Sequence, residues 1–152
     1  MANEKVEAVD MKFRVKAHSE NPTKTVVKAR GFEMIIDEPA ELGGTNEGAN
    51  PVEFLLAALS GCLNVMGHLV ANEMGFELRG LKIDLAGNLN PNRLFGKSLD
   101  ERAGYKGIEV TMKPDCDATD EQLAEWLKQV EDRCPVSDNI GNATPIEIKV
   151  KK

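Results

Sequence analysis

Three cysteines, Cys62, Cys116 and Cys134, are the side chains of this chain best suited to covalent or redox chemistry. An odd and sparse set of cysteines is not the disulfide framework of a small secreted domain. Cys62 and Cys134 lie too far apart along the chain for a CxxC redox motif, and they lack the paired spacing of a zinc site. Two interpretations of this pair stay open: a dithiol redox couple that the fold brings together, or small hydrophobic side chains of the core.

Cys62 is placed by a predicted helix that begins at Pro51 and runs to Gly75. Asn50 is a good N-cap residue, proline suits the first helical turn, and Glu53 complements the positive end of the helix dipole. An apolar stripe along this helix consists of Val52, Leu55, Leu59, Cys62 and Met66. The helix is nearly long enough to cross a membrane, but its small and polar residues and the lack of basic flanks argue against a transmembrane span. A helix that is apolar on almost all sides indicates instead the buried centre of a domain or a subunit interface.

Cys134 is placed at the end of a second predicted helix, which spans residues 118–134. Thr119 and Gln122 form the sequence pattern of a capping box at its start. Its apolar stripe consists of Leu123, Trp126, Leu127 and Val130. Cys134 continues this stripe one turn later, before a proline that ends the helix, so both thiols are predicted to face inward. Cys116 lies between two aspartates outside both helices, which indicates an incidental surface cysteine.

The remaining segments predict strands and polar loops. Alternating or β-branched runs predict strands at Val6–Ala17, Thr25–Ala29, Phe32–Ile36, Leu81–Leu85, Gly107–Lys113 and Pro145–Val150. A glycine-rich loop precedes the first helix at residues 43–51, and a polar loop at residues 88–105 is either a solvated surface segment or part of a substrate entrance. The order βββ-α-β-β-α-β, with hairpin-like turns, predicts an α+β fold with antiparallel sheets.

The composition is typical of one globular domain. The chain has 152 residues and a net charge of −6, with 41% hydrophobic and 29% charged residues. This acidic balance excludes the basic surface that nucleic-acid binding needs. The first ten residues carry four charges and no apolar stretch, so neither a signal peptide nor a membrane anchor is expected there. The expected location is the cytoplasm, with free thiols and no membrane partner.

Two segments of the sequence resemble a known family. Leu42–Cys62 (LGGTNEGANPVEFLLAALSGC) and Cys134–Ser137 (CPVS) are similar to the two signatures of the OsmC/Ohr family, the osmotically inducible protein C and organic hydroperoxide resistance proteins. The resemblance implies a single OsmC-like domain over residues 1–152, with antiparallel sheets around a long buried central helix, in an intertwined homodimer. Its expected parts are an N-terminal β lobe at about 5–50, the central helix at about 51–75 and a C-terminal α+β lobe at about 78–152.

The same resemblance implies a thiol-dependent peroxidase that reduces organic hydroperoxides to alcohols without a metal or other cofactor. Cys62 is then the peroxidatic cysteine, whose thiolate attacks the hydroperoxide and becomes a sulfenic acid. Cys134 is the resolving cysteine, which condenses with that sulfenic acid to a disulfide. The expected partners are a second copy of the chain, an organic hydroperoxide and a dithiol reductant, either a lipoylated or a thioredoxin-like protein. An apolar site raises the pKa of a thiol, so a nearby cation is expected.

In the family, that cation is an arginine of the N-terminal strand region, held by a glutamate at the start of the central helix. The position directly after the proline is Val52 in this chain, and the nearest acid is Glu53. Glu53 precedes Cys62 by nine residues, a rise of about 13.5 Å that places the two on roughly opposite helix faces. The glutamate expected at the thiol is therefore Glu53 of a partner subunit. Arg30 is the preferred arginine, and Arg14 is the other candidate.

The displaced glutamate, and the lack of an arginine at residues 19–22, leave a second function open. It is that of a non-enzymatic protein on the same scaffold, which binds a small hydrophobic ligand or senses redox state. A cation beside the Cys62 sulfur, or a lowered pKa of that thiol, distinguishes the peroxidase from this alternative.

Overall fold

The computed structural model describes residues 6–152 of the chain. Residues 1–5, which include the start of the predicted N-terminal lobe and of the stretch considered for targeting signals, lie outside the described residues. The chain divides into two compact units, one ending at Phe54 and the other spanning Leu55–Lys152. Each unit holds one antiparallel sheet.

The first unit is built on a three-stranded sheet. Its strands are β1 (Lys16–Ser19), β2 (Thr25–Ala29) and β3 (Phe32–Ile36), with β2 in the middle. Asn21 closes the β1–β2 turn, because its side-chain oxygen accepts backbone hydrogen bonds from Thr23 at 2.9 Å and Lys24 at 2.7 Å. Arg30 and Gly31 form a two-residue turn between β2 and β3, in which Arg30 has a φ of 57°. Such hairpin turns use left-handed residues because their twist then matches that of the strands.

The second unit combines helices with a pair of strands. Its elements are α1 (Pro51–Glu73), whose first turn belongs to the first unit, β4 (Gly80–Asn88), β5 (Gly107–Asp115), α2 (Asp120–Arg133) and α3 (Pro135–Gly141). β4 and β5 pair along their whole length, with Ile83 opposite Met112. The predicted α+β class, the antiparallel sheets and the long apolar helix are therefore confirmed, whereas the homodimer stays a prediction.

The core of the second unit is formed by one face of α1 and the apolar stripe of α2. Its buried members are Leu59, Leu63, Met66, Val70, Ala71, Leu78, Trp126, Val130 and Cys134. Trp126 joins the two helices, because its indole N–H donates to the Gly67 carbonyl at 2.8 Å. By length and composition alone α1 could cross a membrane. Its packing in this core accounts for one apolar face without a bilayer.

The opposite face of α1 is open in the single chain. It carries the small residues Ala58 and Gly61 together with Val65 and Leu69, which are 63% and 43% exposed. The prediction of a buried central helix therefore holds for one face within a protomer. For the other face, the subunit interface stays the prediction.

Two predicted strands are wrong. Within the predicted strand Val6–Ala17, only the end that enters β1 is a strand, and the predicted strand Pro145–Val150 has no regular secondary structure. Both segments have the period-2 pattern, but a strand also needs a neighbouring backbone, and neither segment finds one among the described residues. Their apolar side chains are exposed, for example Phe13 at 83% and Ile148 at 87%.

Proline positions explain two further differences from the predictions. The predicted strand Gly107–Lys113 stops before Pro114, but β5 continues through this proline, which lies opposite Leu81. Both strands of a two-stranded sheet are edges, so a residue without an N–H can be accommodated there. Pro135 follows the end of α2, but it also begins the unpredicted helix α3, because proline suits the first helical position.

Candidate functional site

The sulfur atoms of Cys62 and Cys134 lie 3.0 Å apart, although the two residues are distant in sequence. A disulfide bond is about 2.05 Å long, so the pair is reduced, and both residues are free thiols. The separation is that of a short sulfur–sulfur hydrogen bond. The fold therefore presents two thiols that need to approach by only about 1 Å to form a disulfide.

Cys134 is held at the joint between two helices. It follows the last turn of α2 and is the N-cap residue of α3. Its sulfur accepts a hydrogen bond from the Ser137 backbone N–H at 3.4 Å, where a serine or aspartate oxygen usually caps a helix. The helix α2 therefore ends one residue earlier than predicted, at Arg133. Cys134 lies just after it, and capping of α3 sets the position of its sulfur.

Burial and hydrogen bonding act differently on the two thiols. Burial, followed by the hydrogen bond with Cys134, raises the pKa of Cys62, and the Val136 backbone N–H offsets this only in part. Burial also opposes ionisation of Cys134. Hydrogen bonds from the side chain of Ser137, the Cys62 thiol and the backbone N–H groups of Ser137 and Val136 nevertheless lower the pKa of Cys134. Within the described second unit, the groups that set these pKa values are thiols, a hydroxyl and backbone N–H groups, with no cation among them.

The two thiols also differ in their access to a reactant. Cys134 is 1% exposed, whereas Cys62 is half-buried. An attacking reagent therefore meets Cys62 first, while Cys134 holds the more acidic proton. The hydrogen bond between the sulfurs connects the accessible thiol to the acidic one.

An apolar cavity of about 300 Å³ lies in the second unit, and neither cysteine is among its lining residues. Ser137, whose N–H contacts the Cys134 sulfur, lines it together with Leu59 and Leu63, which precede and follow Cys62 on α1. The remaining lining residues are Val110, Met112, Pro114, Leu123, Trp126, Leu127 and Glu131. The volume lies at the lower end of the range of about 300–1,000 Å³ for small-molecule sites. It suits an aliphatic or small aromatic group.

Glu53 has a structural role at the start of α1. Its carboxylate accepts a hydrogen bond from the Asn50 backbone N–H at 2.8 Å, and its own N–H donates to the Asn50 side chain at 2.9 Å. This reciprocal pair is a capping box, with asparagine in the usual place of serine or threonine. Any catalytic role of Glu53 therefore has to coexist with, or replace, its capping bond.

Arg30, the predicted catalytic arginine, lies in the β2–β3 turn of the first unit. Its guanidinium carbon is 5.2 Å from the centre of the Phe32 ring, a cation–π contact at an exposed site. Arg30 and Arg14 both line a shallow depression of the first unit with Phe13, Val15 and Ala29. The role of either arginine at a thiol stays a prediction.

Asp37 is an organising residue that the sequence did not reveal. It is fully buried, and it accepts hydrogen bonds from the backbone N–H groups of Glu38, Thr45 and Glu47 at 2.8, 3.1 and 3.1 Å and from the Thr45 hydroxyl at 2.5 Å. The Thr45 hydroxyl contributes most to holding the pKa of Asp37 well below its usual range. Asp37 thereby shapes the glycine-rich loop that leads to α1. A single acid at the end of a strand gives no sequence signal of such burial.

Cys116 is the remaining cysteine of the chain. Cys116 is half-buried against the core of the second unit, so its prediction as a surface cysteine is wrong. Strand β5 extends past its predicted end and carries the residue toward the core.

Among residues 6–152, no group of three or more His, Cys, Asp or Glu side chains is placed to hold a metal ion.

Comparison with known proteins finds one family and a set of related folds. A sequence model described as OsmC-like protein matches residues 44–149. An OsmC-like protein from Mycoplasma pneumoniae is 19% identical, with a TM-score of 0.77 over 88% of this chain and 89% of that chain. An organic hydroperoxide resistance protein from Elizabethkingia anophelis is 20% identical, with a TM-score of 0.63 over 87% and 89% of the two chains. An organic hydroperoxide resistance protein OsmC from Legionella pneumophila is 19% identical, with a TM-score of 0.61 over 88% and 91%. No curated protein matches the chain.

Proposed function

The chain belongs to the OsmC-like protein family, and from this premise we propose that it is a thiol-dependent peroxidase that reduces organic hydroperoxides to alcohols. The observation that carries the proposal is the 3.0 Å separation of the Cys62 and Cys134 sulfurs. Two of its structural relatives are named organic hydroperoxide resistance proteins, which supports the choice of oxidant. A dithiol at this distance can pass two electrons to a peroxide and form one disulfide.

The proposed reaction starts with ionisation of the dithiol and a proton shift along the hydrogen bond between the sulfurs. Cys134 loses its proton to solvent first, because its pKa is the lower of the two. The Cys134 thiolate then takes the proton of Cys62 in a minor fraction of the molecules, and the resulting Cys62 thiolate attacks the terminal oxygen of the hydroperoxide. The O–O bond breaks, a sulfenic acid forms on Cys62, and the alkoxide takes up a proton to leave as the alcohol. Cys134 then attacks the sulfenic sulfur, which releases water and forms the disulfide. An external dithiol reduces this disulfide and becomes oxidised itself.

The surroundings of the dithiol support an organic rather than a charged oxidant. The apolar cavity shares Ser137 with the surroundings of Cys134 and is lined mainly by aliphatic and aromatic side chains, so it is the proposed place for the alkyl or aryl group of a hydroperoxide. The proposed enzyme uses no cofactor and works in the cytoplasm. Its proposed reductant is a lipoylated or a thioredoxin-like protein.

The proposed enzyme is a homodimer. The open face of α1 carries small and apolar residues that suit close helix packing, and Val65 at its centre is 63% exposed. Both terminal segments also carry exposed apolar residues on alternate positions, as a strand that lacks its neighbour does. A second copy is the proposed source of the missing contacts. Arg30 and Glu53 are proposed to reach a Cys62 thiol in that assembly.

A peroxide-consumption assay tests the proposal. The parent and the variants Cys62→Ser, Cys134→Ser and Cys116→Ser are supplied with cumene hydroperoxide or hydrogen peroxide and with dihydrolipoamide. The parent and Cys116→Ser are expected to consume cumene hydroperoxide in preference, Cys62→Ser to lose activity, and Cys134→Ser to stop after one turnover with this reductant. Equal turnover by the parent and Cys62→Ser would show that the proposed nucleophile is wrong.

One observation favours a second candidate function, the binding of a small hydrophobic ligand without turnover. Burial and Cys134 raise the pKa of Cys62, which lowers its thiolate fraction at neutral pH, while the apolar cavity is open to a ligand. Binding of a solvatochromic dye such as anilinonaphthalene sulfonate to this cavity can be followed by the change in fluorescence of the dye and of Trp126, which lines the cavity. Dye binding that is unaffected by oxidation of the dithiol, together with no peroxide turnover, favours the binding function.

A further inference from the structure

A second groove, separate from the apolar cavity, lies on the second unit. It has a volume of about 440 Å³ and is formed by α1, the end of the loop between β4 and β5, and α3. Its apolar residues are Leu55, Ile108 and Ile140, and the latter two are partly buried against the core. Two cationic side chains, Arg102 and Lys106, lie at its edge. Neither the proposed reaction nor the resemblance assigns a role to this groove.

The two cations of the groove are not equivalent. The Lys106 ammonium is 2.7 Å from the carboxylate of Glu101, so this pair is neutral as a unit. Arg102 makes no ion pair with any residue in the described part of the chain. The groove therefore offers one uncompensated positive charge, on a planar side chain that can donate two parallel hydrogen bonds.

Glycines hold two side chains of the groove in place. A Cβ on Gly104 would come within 3.3 Å of the Arg102 guanidinium, so the guanidinium lies against the bare backbone of that residue. A Cβ on Gly87 would come within 2.7 Å of the Tyr105 ring, so the ring packs on a bare strand. The loop end that carries Arg102 is thus positioned by packing on β4, and the arginine does not have to be ordered entirely by its ligand.

We infer that this groove binds a monoanionic amphiphile, with its carboxylate on Arg102 and its aliphatic body against Leu55, Ile108 and Ile140. A single uncompensated charge matches a carboxylate better than a phosphate dianion. The apolar floor excludes small, fully hydrated anions as good ligands because they leave it exposed to water. The volume lies within the range of about 300–1,000 Å³ for small-molecule sites.

The groove lies on the same side of α1 as the accessible thiol. Leu55 and Cys62 are seven residues apart, which is within about 20° of two full helical turns and corresponds to a rise of about 10.5 Å. α3, which closes the groove at Ile140, begins directly after Cys134. A bound amphiphile therefore lies along the helix face that leads to the dithiol, although its binding does not depend on peroxidase activity.

Isothermal titration of the full chain with sodium octanoate tests the inference. The parent is expected to bind octanoate saturably and more tightly than either 1-octanol or acetate, because only octanoate has both the charge and the chain. Arg102→Gln is expected to weaken octanoate binding by roughly 10- to 100-fold, the usual effect of losing hydrogen bonds to a charged group. Lys97→Gln is the matched control, since it removes the same charge from the same loop but not from the groove.

The outcomes distinguish a specific binding site at Arg102 from nonspecific electrostatic attraction of octanoate to the loop. Unchanged octanoate affinity in Arg102→Gln, equal losses in Arg102→Gln and Lys97→Gln, or no saturable binding to the parent each overturns the inference. Thermal unfolding checks that both variants fold, and the exposed position of each side chain makes large losses of stability unexpected. Because the readout is binding to the reduced protein, it stands or falls separately from peroxide turnover.

Discussion

The sulfur of Cys134 occupies the place that an oxygen takes at the start of many helices. Backbone N–H groups of Val136 and Ser137 and the Ser137 hydroxyl stabilise negative charge there, although the side chain is 1% exposed. Cys62 has only one such N–H and a buried sulfur neighbour. The negative charge of the dithiol therefore forms first on Cys134, and in the proposed reaction Cys62 gains it by proton transfer.

The pH dependence of Cys62 follows from this arrangement. Burial and Cys134 both raise the pKa of Cys62, so its thiolate fraction rises only at a higher pH than for an ordinary thiol of about 8.5. Cys134→Ser removes the second of these causes and supplies a hydroxyl donor, so the pKa of Cys62 should fall, although burial, the larger cause, remains.

The measurement is the rate of iodoacetamide alkylation at Cys62 as a function of pH, read on the Cys62 peptide by mass spectrometry. Cys116→Ser serves as the control and should leave the profile of Cys62 unchanged. A profile for Cys134→Ser that is shifted to higher pH, or not shifted at all, contradicts the assigned cause.

Two glycines of α1, Gly61 and Gly67, test how closely this helix packs against its neighbours. A Cβ on Gly67 would lie 2.9 Å from a Leu81 methyl and 3.1 Å from the Trp126 ring, whereas one on Gly61 meets nothing within 4 Å. Gly67→Ala should therefore destabilise the protein by about 1–3 kcal/mol through overpacking. In the Val65→Asp background, which separates the protomers of the proposed dimer, Gly61→Ala should be neutral or stabilising by up to about 1 kcal/mol, because its face of α1 is open in the single protomer.

Urea unfolding followed by circular dichroism measures the two free energies of unfolding. A free energy of unfolding for Gly61→Ala at or above that of its Val65→Asp background, with Gly67→Ala below the parent, supports the described contact between α1 and α2. Equal effects of the two substitutions would mean that Gly67 does not face Trp126.

The loop before α1 depends on the charge of Asp37. Its pKa is depressed in the folded state, so its stabilising effect is complete above the unfolded value of about 3.9 and is lost as the pH falls below it. Asp37→Asn removes this charge while keeping the shape, and it should lower the melting temperature at neutral pH by at least about 5 °C.

Thermal melts at several pH values test this prediction. The difference between the parent and Asp37→Asn should shrink progressively below about pH 4, because the unfolded chain takes up a proton at Asp37 there while the folded protein still holds the carboxylate charged. Asp10→Asn, the same substitution at an exposed position of the first unit, should have little effect at any pH. A difference that stays constant with pH argues against ionisation of Asp37 as its cause.

The two long helices, α1 and α2, could be predicted from the sequence. Capping residues and apolar periodicity define a helix within its own segment, without reference to the rest of the chain. The strands Val6–Ala17 and Pro145–Val150 were overpredicted, because pairing depends on another backbone that no local pattern specifies. The two helix stripes indicated that Cys62 and Cys134 both face inward, but their spacing alone left a core role open, and the resemblance supplied their pairing.

At the scale of the whole molecule, the single chain leaves too much apolar surface uncovered. Val65 and Leu69 on α1 and alternate residues of both terminal segments are exposed, from 43% at Leu69 to 94% at Val6. Exposed apolar residues that form a pattern, rather than scattered single ones, mark an interaction surface. A second copy of the chain is the proposed partner for this surface.

Val65→Asp tests the proposed dimer. A charge at the centre of the open α1 face should separate the protomers, because an unpaired buried carboxylate is costly at an interface. Leu94→Asp is the matched control, since Leu94 is 71% exposed on the loop between β4 and β5. In sedimentation, the parent and Leu94→Asp should have twice the mass of the 16.6 kDa chain, and Val65→Asp the mass of one chain. A parent that sediments as a single chain contradicts the dimer.

Counting free thiols after a single equivalent of cumene hydroperoxide tests the central claim most directly. The reduced chain has three cysteines, and one free thiol, Cys116, is expected to remain while the tryptic peptides of Cys62 and Cys134 become linked by a disulfide. The alcohol should appear in equal amount with the disulfide. If all three thiols survive while the hydroperoxide is intact, or if Cys62 is oxidised without linkage to Cys134, the account of a reactive dithiol is contradicted.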